Sequence, residues 1–131
     1  MALTESSMVP LGAPLPDFRL PDTDGTYYSN DDFLDRPILV MFICNHCPYV
    51  KHIANELSLL SHDFAQARLG MVAIQSNDID GYPEDRPELM HAEKEARDYR
   101  FPYLYDESQD VARSFQATCT PDFFLYDSEQ R

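Results

Sequence analysis

Apolar positions along the chain change period several times, and each change predicts a new element. The run Ile38-Leu39-Val40-Met41-Phe42-Ile43, opened by Pro37, is apolar without alternation. A strand reads this way when helices cover both faces of a parallel sheet. Directly downstream, Val50, Ile53, Ala54, Leu57, Leu60 and Phe64 recur at three- and four-residue spacing, the apolar stripe of a helix. Gly70 is expected to stop that helix. Met71-Val72-Ala73-Ile74 predicts a second strand, Phe101 to Tyr105 a third, and Phe123-Phe124-Leu125-Tyr126 a last one entered through Thr118-Cys119-Thr120-Pro121. Helices are expected from about Pro87 to Tyr99, after a loop over 77–83, and from Ser108, as cap, to Phe115. Upstream, Asp17–Leu20 and Thr26–Tyr28 flank the turn Pro21-Asp22-Thr23-Asp24-Gly25, a small hairpin. Ser29 or Asn30 then caps a helical turn through Phe33.

Strands alternating with helices predict an α/β domain, a three-layer α/β/α sandwich around a mainly parallel sheet. Residues 1–16, broken by Pro10, Pro14 and Pro16, read as a leader, and 17–131 as one domain. A hydrophobic fraction of 44% supports a packed core, and ten prolines against four glycines imply rigid connections.

Charge narrows the partners. The chain holds 23 acidic and 10 basic residues, a formal charge of −13, with no Lys or Arg cluster to displace counterions. Nucleic acid is therefore excluded, as is an anionic membrane surface. The acidic surplus reads as a solubilising exterior. Met1 to Pro16 lacks the basic flank and apolar core of a secretory signal, and no run approaches the ~18 apolar residues of a membrane span. The location expected is cytoplasmic. A close cysteine pair in that reducing setting reads as catalytic or metal-binding rather than structural.

Such a pair is present. Cys44-Asn45-His46-Cys47 falls where the apolar strand meets the periodic helix. Free backbone N–H groups and the positive dipole end of a helix favour a thiolate there, so the thiol is expected to titrate below its ordinary value. The spacing lets one sulfur reach the other. His46, beside the second cysteine, is expected to tune the pair by making its disulfide more oxidising. Pro48 fits the first helical turn, which makes Cys47 the N-cap and favours an ionised thiol on Cys47 as well. Cys44, nearer the strand end, is nonetheless expected to be the exposed nucleophile.

The segment Phe42 to Val50, together with Thr118 to Phe124 and the opening Gly12 to Leu20, resembles the peroxiredoxin-like branch of the thioredoxin superfamily, the AhpC/TSA-type redoxins. The resemblance covers nearly the whole chain and implies a thioredoxin-like fold. It further implies a cis Thr120–Pro121 bond facing the cysteines and an extended substrate docked at Thr120 and Pro121. Departures are clear. Thioredoxin has Trp before its first cysteine and Gly-Pro between the two, where this chain has Ile43 and Asn45-His46. Its buried acid falls on Ile38, which leaves no proton acceptor assigned. Peroxiredoxins place Pro and then Thr or Ser before the peroxidatic cysteine; counted back from Cys47, those positions hold Val40 and Cys44. The closing strand and helix of the fold have no counterpart after Tyr126. The natural protein is therefore expected to continue, or a homodimer to cover that edge.

The reading is a thiol–disulfide oxidoreductase acting on protein or small-molecule thiols and disulfides, reduced by thioredoxin or glutathione, with no cofactor and no metal. Two alternatives differ in chemistry: a thiol peroxidase with Cys47 as peroxidatic cysteine, and a metal-binding domain using Cys44, Cys47 and Cys119 with His46 or His52. A redox-inert scaffold is a further class. Cys119 itself reads either as an additional resolving thiol or as a small buried apolar residue.

Overall fold

The structure is a computed structural model and describes residues 9–131; the first eight residues of the expected leader lie outside them. A hairpin of β1 (Arg19–Pro21) and β2 (Tyr27–Ser29) precedes a short 3-10 turn over Asn30–Phe33. The central sheet comprises β3 (Ile38–Phe42), β4 (Gly70–Gln75), β5 (Tyr103–Tyr105) and β6 (Asp122–Tyr126), in the order β5-β4-β3-β6. The β3–β4 and β4–β5 pairs are parallel, and β6 runs antiparallel to β3. Helices α1 (Pro48–Gln66), α2 (Pro87–Arg97) and α3 (Asp110–Phe115) make the crossovers.

The unbroken apolar run of β3 follows from its place between two strands, because alternate side chains enter different cores. Ile38, Val40 and Phe42 pack with Phe115, Phe124 and Tyr126 under α3 and the hairpin. Met41 and Ile43 pack with Val50 and Leu57 of α1 and Met90 of α2. The three layers expected from the sequence are thus present. Among the described residues no helix is long and apolar enough to cross a membrane.

Two boundaries differ from expectation. Helix α1 ends at Gln66, and the left-handed residue after it is Arg68 at φ 58°, not Gly70. Gly70 instead opens β4, where a Cβ would stand 2.9 Å from Phe33 Cδ1. The glycine is required by packing rather than by helix termination. Ser108 accepts from Asp110 N–H at 3.2 Å, but the first turn of α3 is held chiefly by Asp106. This buried carboxylate accepts from Val111 N–H, Ala112 N–H and Ser76 Oγ.

The outer edge of β5 is met by Asp22. Its carboxylate accepts Tyr103 N–H at 3.1 Å and pairs with Lys94 Nζ at 3.3 Å, and its backbone bridges to Leu104. Buried acids of this kind show that the acidic surplus is not only a solubilising exterior.

Candidate active site

β3 carries the chain through Ile43 to Cys44, and α1 begins at Pro48 with Cys47 as its N-cap. Proline suits that first position because the N–H it lacks would have no partner within the helix. The two cysteines therefore stand at the strand–helix junction, 4.4 Å apart and unbonded. The Thr120–Pro121 peptide is cis, and Thr120 meets both sulfurs. Cys44 Sγ lies 3.6 Å from Thr120 Oγ1, and Cys47 Sγ donates to the Thr120 carbonyl at 3.4 Å.

The expectation of an exposed Cys44 does not hold, since Cys44 and Cys47 are 1% and 0% exposed. Nor does Cys44 show a depressed pKa. Burial pushes its thiol up to about 11, with the Thr120 hydroxyl opposing the shift and the charge of Asp85 adding to it. A helix N-terminus contributes ~0.3–2 kcal/mol to an anion, which is less than the cost of removing a thiolate from water.

Asp85, which sequence reasoning did not single out, organises the polar side of the site. It sits in the 3-10 turn Pro83–Asp85 and is 0% exposed. Its Oδ1 accepts Asn45 N–H at 2.7 Å and His46 N–H at 3.2 Å; its Oδ2 accepts Asn77 Nδ2 at 3.1 Å and closes on His46 Nδ1. Gln75 Nε2 holds the Asp85 backbone carbonyl at 2.8 Å. Asn45 is fixed in turn by Glu84 O at 2.9 Å and by the Tyr103 hydroxyl at 3.0 Å. His46 stacks on Tyr82 with ring centroids 4.2 Å apart and planes 5° from parallel. A solvated loop histidine has no such surroundings. The turn looks like an ordinary acidic loop in sequence, because the site residues it meets, Asn45 and His46, lie about 40 residues away.

Cys119 is half-buried and donates to Pro121 O at 3.7 Å, with burial raising its pKa. With Thr118 and Thr120 it lines a cavity of about 260 Å³ that also meets Phe42, Asn77 and Arg113. His52 is exposed on α1. Among the described residues, one group of three metal-type donors is compact: Cys44, His46 and Asp85, with donor atoms within 4.8 Å of one another. There the His46 Nδ1 and an Asp85 oxygen already satisfy each other, and neither Cys119 nor His52 joins them.

The sheet order, the cis-proline loop and the buried cysteines define a thioredoxin-type domain of the redoxin kind. Residues 11–131 match the AhpC/TSA family, and the chain belongs to it. An uncharacterised conserved protein from Geobacillus kaustophilus is 46% identical at a TM-score of 0.97, with all of this chain covering 70% of that one. A hypothetical protein from Sinorhizobium meliloti 1021 is also 46% identical, at 0.94, over 96% of this chain and 69% of its own. A secreted Mycobacterium tuberculosis disulfide oxidoreductase, homologous to E. coli DsbE, shares the fold at 17% identity and a TM-score of 0.73, over 87% of this chain and 78% of that one. No curated protein is significantly similar in sequence.

Proposed function

We propose that the protein is a thiol–disulfide oxidoreductase whose working pair is Cys44 and Cys47. The observation that carries this reading is two cysteines not joined by a disulfide, 4.4 Å apart at the β3–α1 junction, both touching Thr120. A disulfide needs about 2.05 Å between sulfurs, so the pair closes by side-chain rotation at the junction. Proteins of the same fold include disulfide oxidoreductases, which supports the assignment by analogy of fold. In this reading Cys44 attacks the client disulfide, Cys47 resolves the mixed disulfide, and His46 tunes the pair. Thr120 and Pro121 seat the client, and Cys119 serves as an additional thiol at the rim. A cytosolic reductant such as thioredoxin or glutathione then restores the dithiol.

Equilibration against glutathione buffers of graded potential, followed by intact-mass measurement, tests the reading. Reversible loss of two hydrogens with a two-electron dependence, abolished in Cys47→Ser, is expected. A pair that stays reduced under oxidising glutathione would sink it. The Cys47→Ser protein should also retain clients as mixed disulfides on Cys44.

A further inference from the structure

Exchange at Cys44 needs somewhere to put a proton. A thiol 1% exposed cannot hand it readily to bulk water, and burial holds that proton to about pH 11. At neutral pH the ground-state thiol is therefore neutral, while the nucleophile in exchange is the thiolate. The position occupied by the buried acid in thioredoxin is Ile38 here, which is fully buried in the opposite core.

The groups around Cys44 are few. Thr120 Oγ1 lies 3.6 Å from its sulfur and does not titrate in the working range, Cys47 faces it from the start of α1, and Tyr103 from β5 holds Asn45 behind it. Glu84 and Asp85 come from the 3-10 turn; Glu84 is exposed and presents its backbone carbonyl to Asn45. His46 completes the set. Of these, one His46 ring nitrogen and one Asp85 carboxylate oxygen lie within 4.8 Å of Cys44 Sγ, beyond direct hydrogen-bond reach, a gap that a turn of the Cys44 side chain or one bridging water closes. An ionised Asp85 can meet His46 Nδ1 only if that nitrogen carries its hydrogen. The lone pair of the neutral ring is then left on Nε2. Tyr82 stacks on the face of the ring and fixes its plane.

We propose that His46, oriented by Asp85, is the proton acceptor for Cys44, with Nε2 reached by a turn of the Cys44 side chain or through one water. This rests on the oxidoreductase reading and adds the fate of the proton to it. The Cys44 proton passes to His46 as the sulfur forms a bond to one sulfur of the client disulfide. The client S–S bond breaks, and the departing client thiolate takes the proton back from the imidazolium. Cys47 then attacks Cys44, closing the protein disulfide and releasing the second client thiol. The client gains the two electrons that the pair loses. His46 is catalytic in this scheme, and Asp85 is a positioning residue acting through it.

The test uses the full chain with Cys47→Ser and Cys119→Ser, so that Cys44 is the only thiol, and follows its iodoacetamide alkylation from pH 6 to 11. Asp85→Asn and His46→Phe are added separately. An amide at position 85 offers His46 Nδ1 a donor, which moves the ring hydrogen to Nε2 and removes the acceptor. Both variants are expected to slow alkylation at pH 7 tenfold or more, within the range of general-base effects, and to rejoin the parent above pH 11. A smaller slowing, or acceleration, overturns the proposal. The sign is decisive, because removing a negative charge beside a buried thiol would by electrostatics alone lower its pKa and speed the reaction. If Asp85→Asn fails to fold cooperatively, a normal solvent deuterium isotope effect on Cys44 alkylation in the parent, lost in His46→Phe, decides instead, and its absence from the parent overturns the proposal. The alkylation result does not depend on disulfide formation, so failure of the glutathione experiment and failure of this one are separate outcomes.

Discussion

Asp85 and Asp106 are two buried carboxylates near the same end of the sheet, and they serve different ends. Asp106 is satisfied by two backbone N–H groups of α3 and the Ser76 hydroxyl, none of which titrates in the working range. Asp85 also takes two backbone N–H groups and one side-chain donor, but its remaining contact is an imidazole beside a thiol. Burial is the same in both. In the proposed scheme, what separates a fastening from a working part is whether one of the donors can also take up a proton.

The largest expected effect tests the fastening. Asp106→Ala leaves two N–H groups at the start of α3 and the Ser76 hydroxyl without their acceptor, and should cost about 3 kcal/mol of stability. Urea denaturation would register this as a lower midpoint at unchanged slope. Alkylation of Cys44 in the folded fraction should keep its pH profile. A shifted profile would mean that the two carboxylates act as one unit, and the contrast would fail.

A smaller effect belongs to the thiol itself. The folded protein raises the Cys44 pKa from 9.0 to about 11, so across that interval the native state binds more protons than the unfolded chain. Stability is then complete below pH 9 and falls as pH rises towards 11. Cys44→Ser should flatten part of this fall. The remainder belongs to buried tyrosines such as Tyr99, pushed up to about 12, and Tyr103, raised well above its ordinary value by full burial. Urea midpoints at pH 8, 9, 10 and 11 would show the difference; an identical decline in Cys44→Ser would contradict the burial argument.

The finest test uses adjacent residues that serve different carboxylates. Ser76 Oγ donates to Asp106 at 2.8 Å, and Asn77 Nδ2 donates to Asp85 at 3.1 Å. Ser76→Ala should lower stability by about 1 kcal/mol without touching thiol kinetics. Asn77→Ala removes the donor that competes with His46 for the same Asp85 oxygen, leaving that oxygen to the imidazole alone. Cys44 alkylation near pH 7 should quicken a few-fold. Equal behaviour of the two variants in both assays would erase the distinction between the acids.

The sheet and helices were legible because their signals are local. The unbroken run Ile38–Ile43 announces a central strand, and the stripe from Val50 to Phe64 announces α1. The cysteine pair was legible for the same reason, since its meaning comes from the junction it occupies. Asp85 was not, because nothing in Tyr82-Pro83-Glu84-Asp85 separates it from the many solvated acids of a chain at −13. Its identity depends on a turn folding back onto Asn45 and His46. The wrong sign expected for Cys44 has a related origin. Helix position can be read from sequence, but depth of burial depends on elements that arrive from elsewhere, and here depth outweighs the dipole. Gly70 misled for a simpler reason: a glycine that follows a helix resembles a stop even when a neighbouring ring, that of Phe33, is what forbids a side chain.

The carboxylate of Asp22 sets the two borders of the sheet apart. At β5 the backbone N–H of Tyr103 is already taken by Asp22, which Lys94 pins in place. A strand arriving on that side finds the ladder stopped at its first rung. The opposite border is different: among the described residues no strand pairs with the outer side of β6, and Phe123 and Leu125 stand 45% and 69% exposed there. Recruitment of a further strand, whether from the same polypeptide or from another molecule, is therefore polar. On the β5 side such a strand would have to displace Asp22, whereas on the β6 side it would meet residues 9–13 beside residues 123–126, so the two ends of the sheet present unlike obstacles to edge addition.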